Sequence, residues 1–182
     1  MKSLTAAMLA MAAFSGVTVA HAASTTVSGG TIHFTGEVVN AACAVAPESA
    51  DQTVPLGQVR AASLADAGST ANPTGFNIKL NDCDTSVSTT AAISFYGPTT
   101  AAGDALSVSS ITTAGAAATN VGIQILDQNS QVVSPNTDVP SSAFTLIDGT
   151  NTLPFTAQFI STDGGATAGA ADADATFNVA YN

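Results

Sequence analysis

Apolar residues return at every second position in short runs along most of this chain, a period that suits strands and almost nothing else. Phe76, Ile78 and Leu80 alternate with Asn77, Lys79 and Asn81, and Val121, Ile123 and Ile125 alternate with Gly122 and Gln124. Leu153, Phe155, Ala157 and Phe159 form a third run, and Phe177, Val179 and Tyr181 a fourth, set against Asn178, Ala180 and Asn182. Side chains of a strand change face with each residue, so every run has one apolar and one polar side. Ile93 with Phe95 and the weaker pair Leu106 and Val108 extend the pattern. Val54-Pro-Leu56 with Val59 reads as a short strand that Pro55 confines to an edge or a bulge. Two hairpins are expected. One turns at Asp127-Gln-Asn-Ser130 before Val132, and the other at Asp148-Gly149 between residues 144–147 and 153–159, with Pro154 out of phase with the apolar set. No segment keeps helical periodicity; the Ala-rich stretch 114–118 has the propensity, but Gly115 interrupts it and it has no apolar face. Many short strands between turn signals predict an all-β sandwich of immunoglobulin-like type.

The first 22 residues stand apart. Lys2 is followed by an apolar run over residues 4–14, too short to cross a bilayer, and Ala20-His21-Ala22 is a small-x-small cleavage site. Residues 1–22 therefore read as a secretory signal peptide, whose removal leaves about 160 residues, enough for one domain with a real core. Export places Cys43 and Cys83, the two cysteines of the chain, where a disulfide forms and persists, and they are expected to pair. Of three basic residues, Arg60 and Lys79 remain after cleavage, against thirteen acids. Such a chain lacks the clustered Lys and Arg that nucleic acid or an anionic membrane requires.

Between the signal and Cys43 lies a short arm. Gly30, Ile32, Phe34, Gly36 and Val38 share one face of an extended segment, with Thr31, His33, Thr35 and Glu37 on the other. No hairpin turn ties this segment to its neighbour, so it needs a sheet edge to join. The sequence ends almost flush with the run through Phe177 and Val179, and a last strand at an open edge invites pairing with another chain. Periodicity leaves two arrangements open: the arm pairs within its own molecule as an ordinary first strand, or it pairs with another.

Catalysis has little to stand on. His33 is the one histidine beyond the signal segment, and it sits on the polar face of the arm with no nucleophile motif beside it. Asp82-x-Asp84 and Asp172-x-Asp174 lack the spacing of a calcium loop, and two cysteines without a Cys-x-x-Cys do not make a zinc set. No enzyme, metal or cofactor is expected.

Five stretches carry a resemblance. Gly29-Gly-Thr-Ile-His-Phe-Thr-Gly-Glu-Val-Val-Asn-Ala-Ala-Cys43, Phe76-Asn-Ile-Lys-Leu-Asn-Asp-Cys83, Asn120-Val-Gly-Ile-Gln-Ile-Leu-Asp127, Gly149-Thr-Asn-Thr-Leu-Pro-Phe155 and Ala175-Thr-Phe-Asn-Val-Ala-Tyr-Asn182 together resemble the major subunits of chaperone–usher pili, closest to the type 1 fimbrial major subunit. The penultimate Tyr181 and Gly169, fourteenth from the C-terminus, belong to the same pattern. The resemblance implies an incomplete immunoglobulin-like domain at residues 43–182, preceded by a donor arm at 23–42. A periplasmic chaperone would lend the missing strand, and at an outer-membrane usher the arm of the next copy would replace it, building a surface fimbria that serves adhesion. Gly30, Ile32, Phe34 and Gly36 would be the inserting face, and Gly169, Phe177, Val179 and Tyr181 the C-terminal side of the acceptor groove. A minor or adaptor subunit would share both ends. A secreted carbohydrate-binding adhesin would share fold and location, but is expected to add a receptor-binding domain and to lack the arm.

Overall fold

The computed structural model describes residues 26–38, 41–110 and 115–182. The signal segment 1–22, the first arm residues 23–25, Val39, Asn40 and Ala114 lie outside the described residues. The chain divides into two units, residues 1–37 and 38–182. In the first, residues 26–37 are exposed and belong to no strand.

The described residues of the second unit form eight strands: β1 (Ala44–Val45), β2 (Thr70–Cys83), β3 (Thr90–Tyr96), β4 (Leu106–Ser107), β5 (Val121–Leu126), β6 (Phe144–Thr145), β7 (Gly149–Ser161) and β8 (Thr176–Tyr181). They form a five-stranded sheet in the order β1-β2-β7-β5-β4 and a three-stranded sheet in the order β6-β3-β8, with every named pair antiparallel. Among the described residues, helix is limited to one turn at Pro47–Ala50 and a 3-10 turn at Ala61–Leu64. The alternating residues point as their period requires: Ile78 and Leu80 of β2, Ile93 and Phe95 of β3, and Leu153, Phe155, Ala157 and Phe159 of β7 are all buried in one core. Phe95 meets Phe155 edge to face at 5.3 Å between ring centres, and Phe144 lies 5.5 Å from Phe155, so aromatic contacts tie the two sheets together.

Strand β2 runs fourteen residues because it absorbs two irregularities, one between Ala71 and Thr74 and the other between Leu80 and Cys83. Asn72 and Asp82 sit in these breaks at φ of 53° and 52°, a conformation that Asn and Asp tolerate better than most residues. Pro154 pairs with Asn77 in the middle of the five-stranded sheet without costing a ladder bond. Lys79 directs its N–H to Ser49 and its carbonyl to Ala46, and Asn77 accepts from Gln52, so these residues face away from β7. The pyrrolidine nitrogen of Pro154 then points to the β5 side, where pairing has already ended at Thr156.

Two expectations need correction. Residues 54–59 are not a strand: they run without a backbone ladder, broken by Pro55 and by Gly57 at φ +70°, and Asn72 holds them instead, its side-chain amide donating to the carbonyls of Leu56 and Gln58. Residues 144–159 are not a hairpin either. β6 pairs with β3 and β7 with β2 and β5, so the chain changes sheet at Ile147–Gly149. Asn151 fixes that crossing, accepting from Ile147 N–H and donating to Ile147 carbonyl like an extra piece of backbone. The turn at Asp127 does close as expected, with Leu126 bridged to Val132. Residues 115–118 are not helical, and Ala117 forms a parallel bridge to Ala170.

Candidate functional site

β8 is the edge of the three-stranded sheet, paired with β3 along its length from Ala91↔Tyr181 to Tyr96↔Thr176 and with no strand on its other side among the described residues. Its inward residues are where the sandwich is incomplete. Phe177, Val179 and Tyr181 pack on the core, yet each is only half-buried, whereas the inward residues of β3 and β7 are sealed. The exposed apolar face and the exposed backbone edge coincide on one strand.

The facing edge belongs to the five-stranded sheet. β1 covers β2 only at Asn81 and Leu80, and beyond it residues 52–58 run beside β2 on side-chain hydrogen bonds. Leu56 and Val59 on that segment, like Phe76 on β2, are half-buried against the core. The two edges lie on the same side of the sandwich, because the Tyr181 phenol donates to the carbonyl of Cys43 at 3.1 Å, linking the end of β8 to the start of β1. Burial pushes the Tyr181 hydroxyl above its ordinary pKa. Half-buried apolar residues thus stand at both edges, Phe177, Val179 and Tyr181 on β8 and Leu56 and Val59 on the segment beyond β1.

Cys43 and Cys83 are joined in a buried disulfide that fixes the base of the arm to the end of β2. Closing the 40-residue separation is worth about 4 kcal/mol in the chain-entropy account. Of the four residues placed by sequence on the C-terminal side, the structure brings Phe177, Val179 and Tyr181 together on one face and leaves Gly169 elsewhere. Gly169 lies in the loop before β8, where a Cβ would stand 2.5 Å from the Ala118 nitrogen and 2.6 Å from the Ala117 carbonyl carbon. Its lack of a side chain allows that loop to pack against residues 116–118. The arm residues lie in the other unit: Ile32 is 78% and Phe34 90% exposed, Gly36 has open space around it, and Gly30 takes a φ of +114°.

Sequence reading did not single out Phe76, Leu56 and Val59 as incompletely covered, nor Asn72 as the residue that holds the 52–58 segment. Phe76 belongs to an ordinary alternating strand, and nothing in a period of two shows that one inward residue stands under an open edge. Among the described residues no three His, Cys, Asp or Glu side chains gather as metal ligands, and no helix is long and apolar enough to cross a membrane.

Comparison with known proteins agrees with this architecture. Residues 32–182 match the family model described as fimbrial protein. The chain is 53% identical to the type-1 fimbrial protein, A chain, of Escherichia coli K12 over 182 residues, covering both sequences fully, and 52% identical to the fimbrial subunit type 1 of Klebsiella pneumoniae, again with full coverage of both. Among solved structures, the P pilus rod subunit PapA superposes with a TM-score of 0.65 at 28% identity, covering 78% of this chain and all of that one. A subunit from a chaperone–usher pilus structure solved to explain rod uncoiling gives a TM-score of 0.70 at 28% identity, covering 88% and 100%. An immunoglobulin-like sandwich with an open edge, the full-length likeness to type 1 subunits and the match of the family model together place this chain in the fimbrial protein family, as a structural subunit of a pilus.

Proposed function

We propose that the subunit polymerises head to tail by donating its arm, residues 23–42, to the groove of the next copy, while its own groove receives the arm of another. The half-exposed inward face of β8 carries this reading. Phe177, Val179 and Tyr181 make a whole strand face that is only half-buried, and they lie beside a backbone edge with no strand on it among the described residues. Strand addition meets both needs at once, since backbone pairing supplies affinity and alternate side chains entering pockets set register. The arm has the matching chemistry: Gly30, Ile32, Phe34 and Gly36 recur at the spacing of one strand face, with small residues at either end and bulk in the middle. Gly30 must rotate from its positive φ to extend, which glycine does at little steric cost.

Donating to one neighbour and receiving from another is a heterologous contact that does not close on itself, so it generates an open filament. Activity on this account consists of completing and being completed. A periplasmic chaperone would cover β8 before assembly, an outer-membrane usher would exchange chaperone for arm, and minor subunits carrying the same ends would join the fibre. Residues 1–22 direct export, the domain at 43–182 carries the groove, and the product is a fimbria at the cell surface that serves adhesion.

The test is an unheated denaturing gel of the full chain co-expressed with a chaperone and usher, beside a variant lacking residues 24–34. A ladder of detergent-resistant multimers that collapses on boiling and is absent from the deletion is the expected result. A full-length monomer, with a deletion variant that fails to fold, would instead make the arm a strand of its own sandwich.

A further inference from the structure

We infer that the pole from which the arm departs is itself a docking face for the subunit that receives the arm, with Val87 and Ile147 as its apolar contact. This inference rests on the proposed donation of the arm and adds to it a second contact between the same two copies.

Where the arm is rooted decides the matter. Asp84 N–H donates to the Ala42 carbonyl, and the neighbouring Cys43 is held by the disulfide to Cys83, so the arm is anchored at Ala42 against the turn at residues 84–88. From Gly36, the last residue of the inserting face, to Ala42 the chain has six peptide steps, a reach of at most about 20 Å. The receiving groove must lie within that distance of Asp84. A tether this short holds the two domains at a high effective concentration, so even a modest complementary surface is engaged.

The surface at that pole is built for contact. The turn at 84–88 is fastened to the crossing between β6 and β7: the Asp148 carboxylate accepts from both the N–H and the hydroxyl of Thr85, and Leu146 N–H donates to the Thr89 carbonyl. Val87 lies between the fastened residues on one segment and Ile147 between them on the other. Val87 is 62% and Ile147 64% exposed, two of the five exposed large apolar side chains among the described residues beyond Val38. The acids beside them are steadied through one oxygen each, Asp148 Oδ1 by Thr85 and Asp84 Oδ1 by the N–H and hydroxyl of Ser86, and both are exposed, so the apolar contact is set at Val87 and Ile147 with the two carboxylates left at its solvated rim. Two branched side chains on a fixed turn, within a short tether of the next domain, suit an apolar patch on a second copy of this chain.

A photo-crosslinking test reads this contact apart from arm insertion. Fibres are assembled from the full chain carrying p-benzoylphenylalanine at position 87, at position 147 or, as the comparison, at Thr152, an exposed residue inside β7 that pairs with Lys79 of β2. Each sample is irradiated and run with and without boiling. The expected result is an unheated ladder in all three, with boiling-resistant dimers several-fold more abundant from positions 87 and 147 than from 152. Ladders without such dimers, or equal yields at 152, would overturn the docking face while leaving arm donation intact. Loss of the ladder already in the unsubstituted protein would overturn arm donation and this inference with it.

Discussion

Asp127 shows how one side chain can reinforce a turn that backbone hydrogen bonds already close. It is 5% exposed, and its carboxylate accepts from the N–H groups of Asn129 at 2.8 Å, Gln131 at 2.9 Å and Ser142 at 2.9 Å. Burial pushes its pKa up, but the hydrogen bonds from Ser142, Gln131 and Asn129 outweigh burial and hold it below the ordinary Asp value of 3.8. A carboxylate whose folded pKa is depressed contributes stability that is complete well above its unfolded pKa and disappears as pH falls through the folded value. Asp127→Asn turns an NH₂ toward one of three donors and should cost about 1–3 kcal/mol at pH 7. The gap between the two proteins should narrow as pH drops below about 4. Denaturant unfolding at a series of pH values checks this, and a gap independent of pH would show that ionisation contributes nothing. Gly169→Ala belongs at the same scale. The added methyl would meet backbone atoms of residues 116–118 at 2.5–2.7 Å, and backbone cannot turn aside as a side chain can. We expect a loss on the order of 1–3 kcal/mol. Amide exchange should quicken at Ala118 and Ala170, whose N–H groups donate to Ala170 and Ala116 carbonyls beside the glycine.

Among the elements, β8 and the arm make opposite predictions. Phe177→Asp or Val179→Asp places a charge on the inward face of the groove, which should abolish both receipt of an arm and capture by a chaperone. Ile32→Asp or Phe34→Asp changes only the donated face; that subunit should still be captured by a chaperone and still receive an arm, yet fail to enter its neighbour. Co-purification with the chaperone, read beside the unheated ladder, separates the two classes. A Phe177→Asp subunit that stayed soluble and chaperone-bound would remove β8 from the groove. The strands themselves were legible because a half-buried strand writes its period into the sequence, as Ile78, Ile123 and Phe155 do. Pairing was less so. Residues 144–159 contain two runs and a turn signal, the signature of a hairpin, and nothing in them shows that Asn151 ties down a crossing between sheets. Residues 54–59 look like an edge strand, but their partner is the side chain of Asn72, a contact that periodicity does not encode. The apolar face of β8 was legible in three alternating residues, whereas the half-burial of Phe76 was hidden, because exposure depends on what the other sheet lacks.

At the scale of the molecule, an open groove leaves one wall dependent on whatever fills it. Residues 52–60 have no ladder of their own and are held by the side chains of Asn72 and Gln52, while Leu56 and Val59 are only half-buried against the core. Filling the groove buries those side chains and should raise the free energy of opening this wall locally. The composition provides a natural reporter. Arg60 ends the segment and is exposed, and the other basic residue after Lys2 is Lys79, half-buried on β2 and paired with Glu48 at 2.9 Å. Trypsin therefore has one accessible site in the domain, at the end of the wall that an arm would stabilise. Cleavage after Arg60 should be fast in a subunit with an empty groove and slower by an order of magnitude or more in assembled fibres, where an increase of about 1.4 kcal/mol in opening free energy gives each tenfold. Timed digestion followed by mass measurement of the fragment after Arg60 checks it. A fibre made with Phe34→Ala arms, which fill the groove less completely, should fall between the two. Equal rates for empty subunit and fibre would mean that this segment is already as firm as the rest of the sandwich, and that the inserted strand supports β8 alone.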